Sequence, residues 1–266
     1  LPLFLYGTAW KEDRTEACVL AALEAGFRGI DTANQRKHYF EAGAGAAIAR
    51  AGIPRGELFL QTKFTSLGGQ DKRLPYDPHA EPGEQVRQSF ASSLEHLGTD
   101  YLDSYVLHGP SSARGLSGQD RAVWEAMEAL QLEGKTRRIG VSNVSLEQLR
   151  QLWDLARVKP AFVQNRCFAD EGWDLGIRGF CREKGIVYQG FSLLTANVPI
   201  FREPRFAELV ERAGCTPAQA VFRFALHVGM LPLTGTKDPK HMREDLDCLK
   251  FELSAADIKT MEGLLA

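Results

Sequence analysis

Short apolar runs alternate with helix-spaced stretches eight times along this chain, and that alternation leaves few folds open. The runs are Leu3–Gly7, Phe27–Asp31, Leu58–Lys63, Tyr101–His108, Arg138–Ser142, Ala161–Gln164, Ile186–Phe191 and Met230–Leu233. Runs of this length bounded by turn residues read as buried strands. The first four helices stop at glycine: Glu12–Ala25 at Gly26, Glu41–Arg50 at Gly52, Glu84–Leu97 at Gly98 and Asp120–Leu132 at Gly134. A glycine just past a helix takes the left-handed conformation that ends it. Other helices are announced at their starts. Ser145 precedes one with Glu147 in its first turn, and Thr216-Pro217 supplies an N-cap and a first-turn proline. A sixth helix ends at Gly185, an eighth holds Pro239–Leu249, and a last one starts at Ser254 with Asp257 three residues on.

Strands alternating with helices imply a parallel sheet with right-handed crossovers. The prediction is an α/β fold, a single (β/α)8 TIM-type barrel over residues 1–266 with an extra C-terminal helix. A doubly wound sheet is the alternative, but no G-x-G-x-x-G follows any strand. Gly43-Ala44-Gly45 lies ahead of a helix but well past its strand.

Composition narrows the function classes. Apolar residues make up 44% of the chain and charged ones 25%, enough for a sizeable core. A net charge of −2 argues against nucleic acid or a membrane surface as partner. No apolar run reaches the roughly 18 residues of a membrane span. The start, Leu1 to Thr8, has no basic cluster and reads as a strand, not a signal peptide. Five scattered cysteines without a C-x-x-C pair point to reduced thiols in a cytoplasmic protein. Six dispersed histidines, with no H-x-H or H-E-x-x-H, give no metal site. A monomer or weak homodimer acting on a small molecule is the expectation.

Asp31, Lys63 and His108 stand at three successive strand ends, and Tyr39 lies just past the first of them. Active sites of eight-stranded α/β barrels are built at the C-terminal strand ends. A lysine ending an apolar strand is desolvated unless paired, and Asp31 is the partner one strand earlier. Alone, that pair reads equally well as a structural ion pair. Tyr39 alone reads as a packed aromatic, and His108 as a hydrogen-bonded rim histidine. Together they form a proton-transfer set. A phenol of pKa about 10 needs a nearby cation to work near neutrality, and Lys63 would supply it.

Several segments carry a wider likeness. They are Gly7-Thr8-Ala9-Trp10, Gly29-Ile30-Asp31-Thr32-Ala33, Gln61-Thr62-Lys63, Val106-Leu107-His108-Gly109-Pro110 and Arg138-Ile139-Gly140-Val141-Ser142-Asn143. Val163-Gln164-Asn165, Gly190-Phe191-Ser192 and His241-Met242-Arg243-Glu244-Asp245 follow in order. On these the chain resembles the aldo-keto reductase superfamily over nearly its whole length. The resemblance implies a barrel that reduces an aldehyde or ketone with NADPH, NADH being possible, and has no Rossmann domain. It implies a catalytic tetrad of Asp31, Tyr39, Lys63 and His108. Tyr39 would protonate the carbonyl oxygen, Lys63 would lower the phenol pKa, Asp31 would hold Lys63, and His108 would orient the carbonyl.

The same resemblance implies cofactor contacts. Ser142, Asn143 and Gln164 would bind the nicotinamide carboxamide, Phe191 would stack on its ring, and Ser192 and Leu194 would lie near the pyrophosphate. Gly7, Thr8, Gly235, Thr236, Lys237, His241, Glu244 and Asp245 complete the expected set. Thr236 stands where relatives use serine, Lys237 is displaced by one, His241 replaces an arginine and Asp245 an asparagine. Trp10, Phe64 and Tyr76 are candidate substrate walls, with Trp124 and Phe168 added on position alone.

One departure bears on the chemistry. The family's tyrosine usually lies five residues after the aspartate, where this chain has Arg36; Tyr39 lies eight residues on. A longer loop, Asn34 to His38, accounts for the shift. If Arg36 filled the acid position, the chain would instead resemble a cofactor-binding redox sensor or regulatory subunit with little turnover. Two long connections, Phe64 to Gly83 and Gly109 to Gln119, follow strands and should hang over the catalytic face as lids or binding loops.

Overall fold

Eight parallel strands pair in chain order and close on themselves. They are β1 (Leu5–Gly7), β2 (Gly29–Asp31), β3 (Phe59–Phe64), β4 (Ser104–Leu107), β5 (Ile139–Ser142), β6 (Phe162–Arg166), β7 (Val187–Phe191) and β8 (Met230–Thr234). The computed structural model describes residues 1–265. The seam pairs Tyr6 of β1 with Thr234 of β8.

The crossovers are α1 (Thr15–Ala25), α2 (Glu41–Ala51), α3 (Pro82–Leu97), α4 (Gly118–Leu132), α5 (Leu146–Leu155) and α6 (Leu175–Lys184). Between β7 and β8 lie two helices, α7 (Pro204–Ala213) and α8 (Pro217–His227). After β8 come α9 (Pro239–Asp247) and α10 (Ala255–Glu262).

The barrel and the extra C-terminal helix are as expected, while several bounds differ. Leu3, Phe27 and residues 101–103 fall outside the ladder, whereas β6 runs on to Arg166 and β8 to Thr234. The first helix opens with a separate 3-10 turn at Glu12–Arg14, and α9 ends in another at Cys248–Lys250. The sequence reading has no counterpart of α7. Its Pro204 occupies the first turn, where the missing N–H costs nothing.

Local chemistry sets the helix ends. Ser117, Ser145, Thr216 and Ser254 each accept from the backbone three residues on and form reciprocal capping boxes. Gly26, Gly52, Gly98 and Gly185 close their helices in the left-handed conformation.

Strand alternation divides the core in two. Outward residues such as Tyr6, Ile30, Leu60, Tyr105, Val141 and Val163 pack under the helices in one large cluster. Inward, Leu5, Phe59, Phe162 and Leu231 form a separate apolar plug at the N-terminal end of the barrel. Two residues further along β3 and β6 the inward positions turn polar, with Gln61 and Gln164. The barrel is thus greasy at its base and polar toward the strand ends.

Helices α2 and α3 approach closely at Gly45. A Cβ built there would lie 2.0 Å from the carbonyl oxygen of His96. Gly45→Ala is therefore expected to lower unfolding free energy by about 2 kcal/mol or more, since backbone must move. Gly56→Ala, whose Cβ would meet open space, should change it by no more than about 0.5 kcal/mol. Chemical denaturation of both variants checks the contrast.

Candidate active site

Above the apolar plug a buried ion pair crosses from β2 to β3. Lys63 is 1% exposed and Asp31 3%. Lys63 Nζ donates to Asp31 Oδ2 at 2.7 Å, to Oδ1 at 2.8 Å and to the Thr32 carbonyl at 2.8 Å. All three ammonium hydrogens are used. Burial pushes the lysine below its ordinary range, and the Asp31 charge opposes that fall.

Tyr39 and His108 sit above this pair and line the same cavity of about 440 Å³. Their rings meet edge to face at 5.8 Å, and Lys63 Nζ lies 5.2 Å from the Tyr39 ring centre. Arg36 turns away: its guanidinium lies 4.3 Å from the Phe40 ring centre and donates to the Tyr39 carbonyl. The longer loop puts the phenol, not the guanidinium, on the cavity. The backbone N–H groups of His38 and Tyr39 both donate to the Gln35 carbonyl, which tightens this turn.

The electrostatics differ from the sequence expectation. With Lys63 fully engaged by Asp31 and Thr32, no ammonium hydrogen is left for the phenol. Burial first, and the Asp31 charge second, hold Tyr39 above its ordinary range. The phenol therefore keeps its proton at neutral pH. Burial, then Lys63, push His108 down to about 3, so the imidazole is neutral. Its Nδ1 lies 2.6 Å from the Thr65 hydroxyl.

An amide-rich wall faces these groups. Asn143 Nδ2 donates to the His108 carbonyl at 2.8 Å and to Ser142 Oγ at 3.1 Å. The Ser142 hydroxyl donates to the Gln164 carbonyl at 2.6 Å, so its proton is already committed. Phe191 closes the wall, and Ser192 and Leu194 continue it. Gly7, Gly235, Thr236 and Lys237 line the far end. Three lining residues, Trp10, Asn143 and Ser192, hold positive φ of 61°, 51° and 56° without being glycine. Such strain clusters at ligand sites.

Not every expected residue reaches this cavity. Lys63 lies beneath it. Thr8 is buried, its N–H bonded to the Asp31 carbonyl. His241 is exposed on α9, and Glu244 pairs with Lys240 at 3.5 Å. Asp245 turns inward and accepts from the Thr234 hydroxyl at 2.8 Å; burial lifts it to about 6. Of the substrate candidates, Trp10 lines the cavity, its ring centre 3.9 Å from that of His38 with the planes tilted by 38°. Phe64 and Tyr76 do not: they pack on each other in the core, and the Tyr76 hydroxyl donates to the Thr65 carbonyl. Trp124 is also core.

Residues that the sequence reading missed follow simple signals. Arg166 lines the cavity two positions after Gln164, on the same strand face. Gln61 and Gln189 lie two before Lys63 and Phe191, and both hydrogen-bond within the barrel. Lys11, next to Trp10, is buried and donates to the Gly235 carbonyl at 3.0 Å. Burial lowers its ammonium to about 8.

A second cavity, of about 810 Å³, adjoins the first and shares His108 and Asn143 with it. The loops after β3 and β4 form it, and apart from His108 its walls carry no ionisable side chain. Among the described residues no group of side chains is placed to hold a metal ion, and no helix is long and apolar enough to cross a membrane.

Comparison with known proteins bears on the fold and the family. A family model described as the aldo/keto reductase family matches residues 5–198 and 202–266. The chain is 33% identical over 251 residues to an aldo-keto reductase of Mycolicibacterium vanbaalenii, covering 94% of this chain and 82% of that one. It is 31% identical over 268 residues to the glyoxal reductase of Bacillus subtilis, covering 99% and 89%. A crystal structure of an aldo/keto reductase from Brucella melitensis superposes with a TM-score of 0.84 at 27% identity, over 98% of this chain and 94% of that one.

Removing one member of a buried ion pair strands the other. Lys63→Met is expected to cost about 3–5 kcal/mol of stability at pH 7. A lone buried carboxylate binds a proton more tightly when folded, so its penalty falls as pH drops. The deficit should therefore shrink toward about pH 4, which denaturation across pH would measure.

Proposed function

Because the chain belongs to the aldo/keto reductase family, we propose that it reduces an aldehyde or ketone to an alcohol using a nicotinamide cofactor, preferentially NADPH. The observation that carries this is the shared cavity: the proton donors Tyr39 and His108 face Asn143, Gln164 and Phe191 across it. A carboxamide offers two N–H donors and one carbonyl. Gln164 and the Asn143 side chain, whose own N–H groups are committed, present acceptors that fit those donors. The donor set thus suits a nicotinamide.

The cofactor, when bound, supplies the hydride. The rest is the chain's own work. Tyr39 keeps its proton until a carbonyl oxygen gains charge, then gives it up as general acid. Neutral His108 offers its outer nitrogen to the same oxygen, with Nδ1 held by Thr65. Lys63 and Asp31 form a rigid base below, and the ammonium stabilises the phenolate left behind. The carbonyl compound enters from the second cavity, which meets the first at His108 and Asn143.

Lys237 on the cavity and Lys11 behind Gly235 put positive charge at the far end. That end suits the phosphates of the dinucleotide, and the basic first turn of α9, with Lys240 and His241, favours a 2′-phosphate.

Three outcomes test this reading. Tyr39→Phe should lose carbonyl-dependent cofactor oxidation by about a hundredfold or more while still binding NADPH in a fluorescence titration. Binding by the unaltered chain without turnover on any aldehyde or ketone would instead favour a redox sensor. Exchanging Lys237 and His241 for alanine should raise the NADPH dissociation constant far more than that for NADH; equal weakening would remove the 2′-phosphate assignment. Affinity for either dinucleotide should fall severalfold as pH rises through about 8, where Lys11 loses its charge, and Lys11→Met should flatten that dependence.

A further inference from the structure

Inside the barrel, between the apolar plug and the cavity, three glutamines and Asp31 form one hydrogen-bonded layer. Gln61 and Gln189 are fully buried and Gln164 is 3% exposed. A carboxylate that receives N–H groups acts only as an acceptor, and this dictates the orientation of every amide around it. Asp31 Oδ1 accepts from Gln61 Nε2 at 2.7 Å and from Gln164 Nε2 at 3.0 Å, besides Lys63. Both amides must therefore turn their nitrogen toward Asp31. Their second N–H groups converge on Gln189 Oε1, at 2.7 and 2.9 Å. Gln189 is thereby oriented too, and its Nε2 returns to Gln61 Oε1 at 3.0 Å.

One acceptor remains. Gln61 Oε1 receives one N–H and Gln189 Oε1 two, but Gln164 Oε1 has no hydrogen-bond partner among the described residues. Gln164 also lines the cavity. An isolated glutamine amide could rotate to present either its oxygen or its nitrogen. Here rotation would break bonds to both Asp31 and Gln189 and would place oxygen against oxygen. Buried networks of this kind are costly when partly satisfied and rigid when complete.

We propose that Gln61 and Gln189 are positioning residues that lock Gln164 with its carbonyl toward the cavity, so that the site reads the N–H of a nicotinamide carboxamide. This rests on the reading that the cavity holds a nicotinamide dinucleotide. It adds a direction: the polarity of the cofactor contact is set by two bonds from the Gln164 amide, one directly to Asp31 and one to Gln189, whose own orientation Gln61 fixes without touching cofactor or substrate. The ion pair below the phenol and the amide that grips the cofactor are parts of one network.

The test compares NADP⁺ with its 3-acetylpyridine analogue, in which a methyl group replaces the carboxamide NH₂. Dissociation constants come from protein fluorescence. The unaltered protein should bind NADP⁺ about five- to tenfold more tightly than the analogue, as one lost hydrogen bond implies. In Gln189→Met, which keeps the side-chain length without polar atoms and leaves the Gln164 amide only its bond to Asp31, that ratio should fall at least about twofold. Gln61→Met should lower it in the same direction. A layer that only supports the fold would weaken both ligands together and leave the ratio unchanged, and that result overturns the proposal. So does a ratio near one in the unaltered protein, which needs no variant to fold. If the unaltered protein binds neither dinucleotide, the cofactor reading itself fails, a result distinct from a failure of the layer alone.

Discussion

The buried pair of Asp31 and Lys63 is the constraint to which the rest of the site conforms. Two charges withdrawn from water persist only if every lone pair and hydrogen around them is satisfied. Here they are. Lys63 has three partners, and Asp31 accepts from two amides in addition to the ammonium. Satisfying Asp31 requires polar side chains inside the barrel, so Gln61, Gln164 and Gln189 occupy positions where apolar packing would otherwise serve. The apolar plug of Leu5, Phe59, Phe162 and Leu231 lies below and gives the layer a dry base.

The pairing also changes how the phenol is to be viewed. An ammonium shared with a carboxylate is a weaker perturbant than a free one, and Tyr39 is governed by burial instead. At neutral pH it therefore keeps its proton. His108 is kept neutral by burial and by Lys63, and its inner nitrogen lies within hydrogen-bond distance of the Thr65 hydroxyl.

Strain and loop length supply the remaining shape. Trp10, Asn143 and Ser192 are held at positive φ around the rim, at the ends of β1, β5 and β7, where chain direction must turn from strand to helix while a wall is kept. The extra residues between Asp31 and Tyr39 would misplace the phenol if the loop ran straight. Instead the Gln35 carbonyl gathers the N–H groups of His38 and Tyr39 into a tight turn, and the Gln35 side chain donates to the Gly69 carbonyl at 2.6 Å. The loop after β3 thus buttresses the loop after β2.

Periodicity alone determined that eight strands alternate with helices; preferring a barrel to a doubly wound sheet also needed the lack of any G-x-G-x-x-G after a strand. Turn chemistry at Gly26, Gly98, Ser145 and Thr216 placed helix ends, because capping is local. Motif resemblance named Asp31, Tyr39, Lys63 and His108 as a set. Helix α7 escaped because its amphipathic pattern starts behind prolines that read equally as loop. Only the tertiary structure decided that Phe64 and Tyr76 face the core and that Asp245 turns toward Thr234. It also decided that Lys63 gives all its hydrogens to Asp31 and Thr32, and that Gln61 meets Gln189 across the barrel. Those facts depend on which strands lie opposite one another and how far each side chain reaches. Such distances arise only when the sheet closes, whereas propensity, capping and alternation are properties of neighbouring residues.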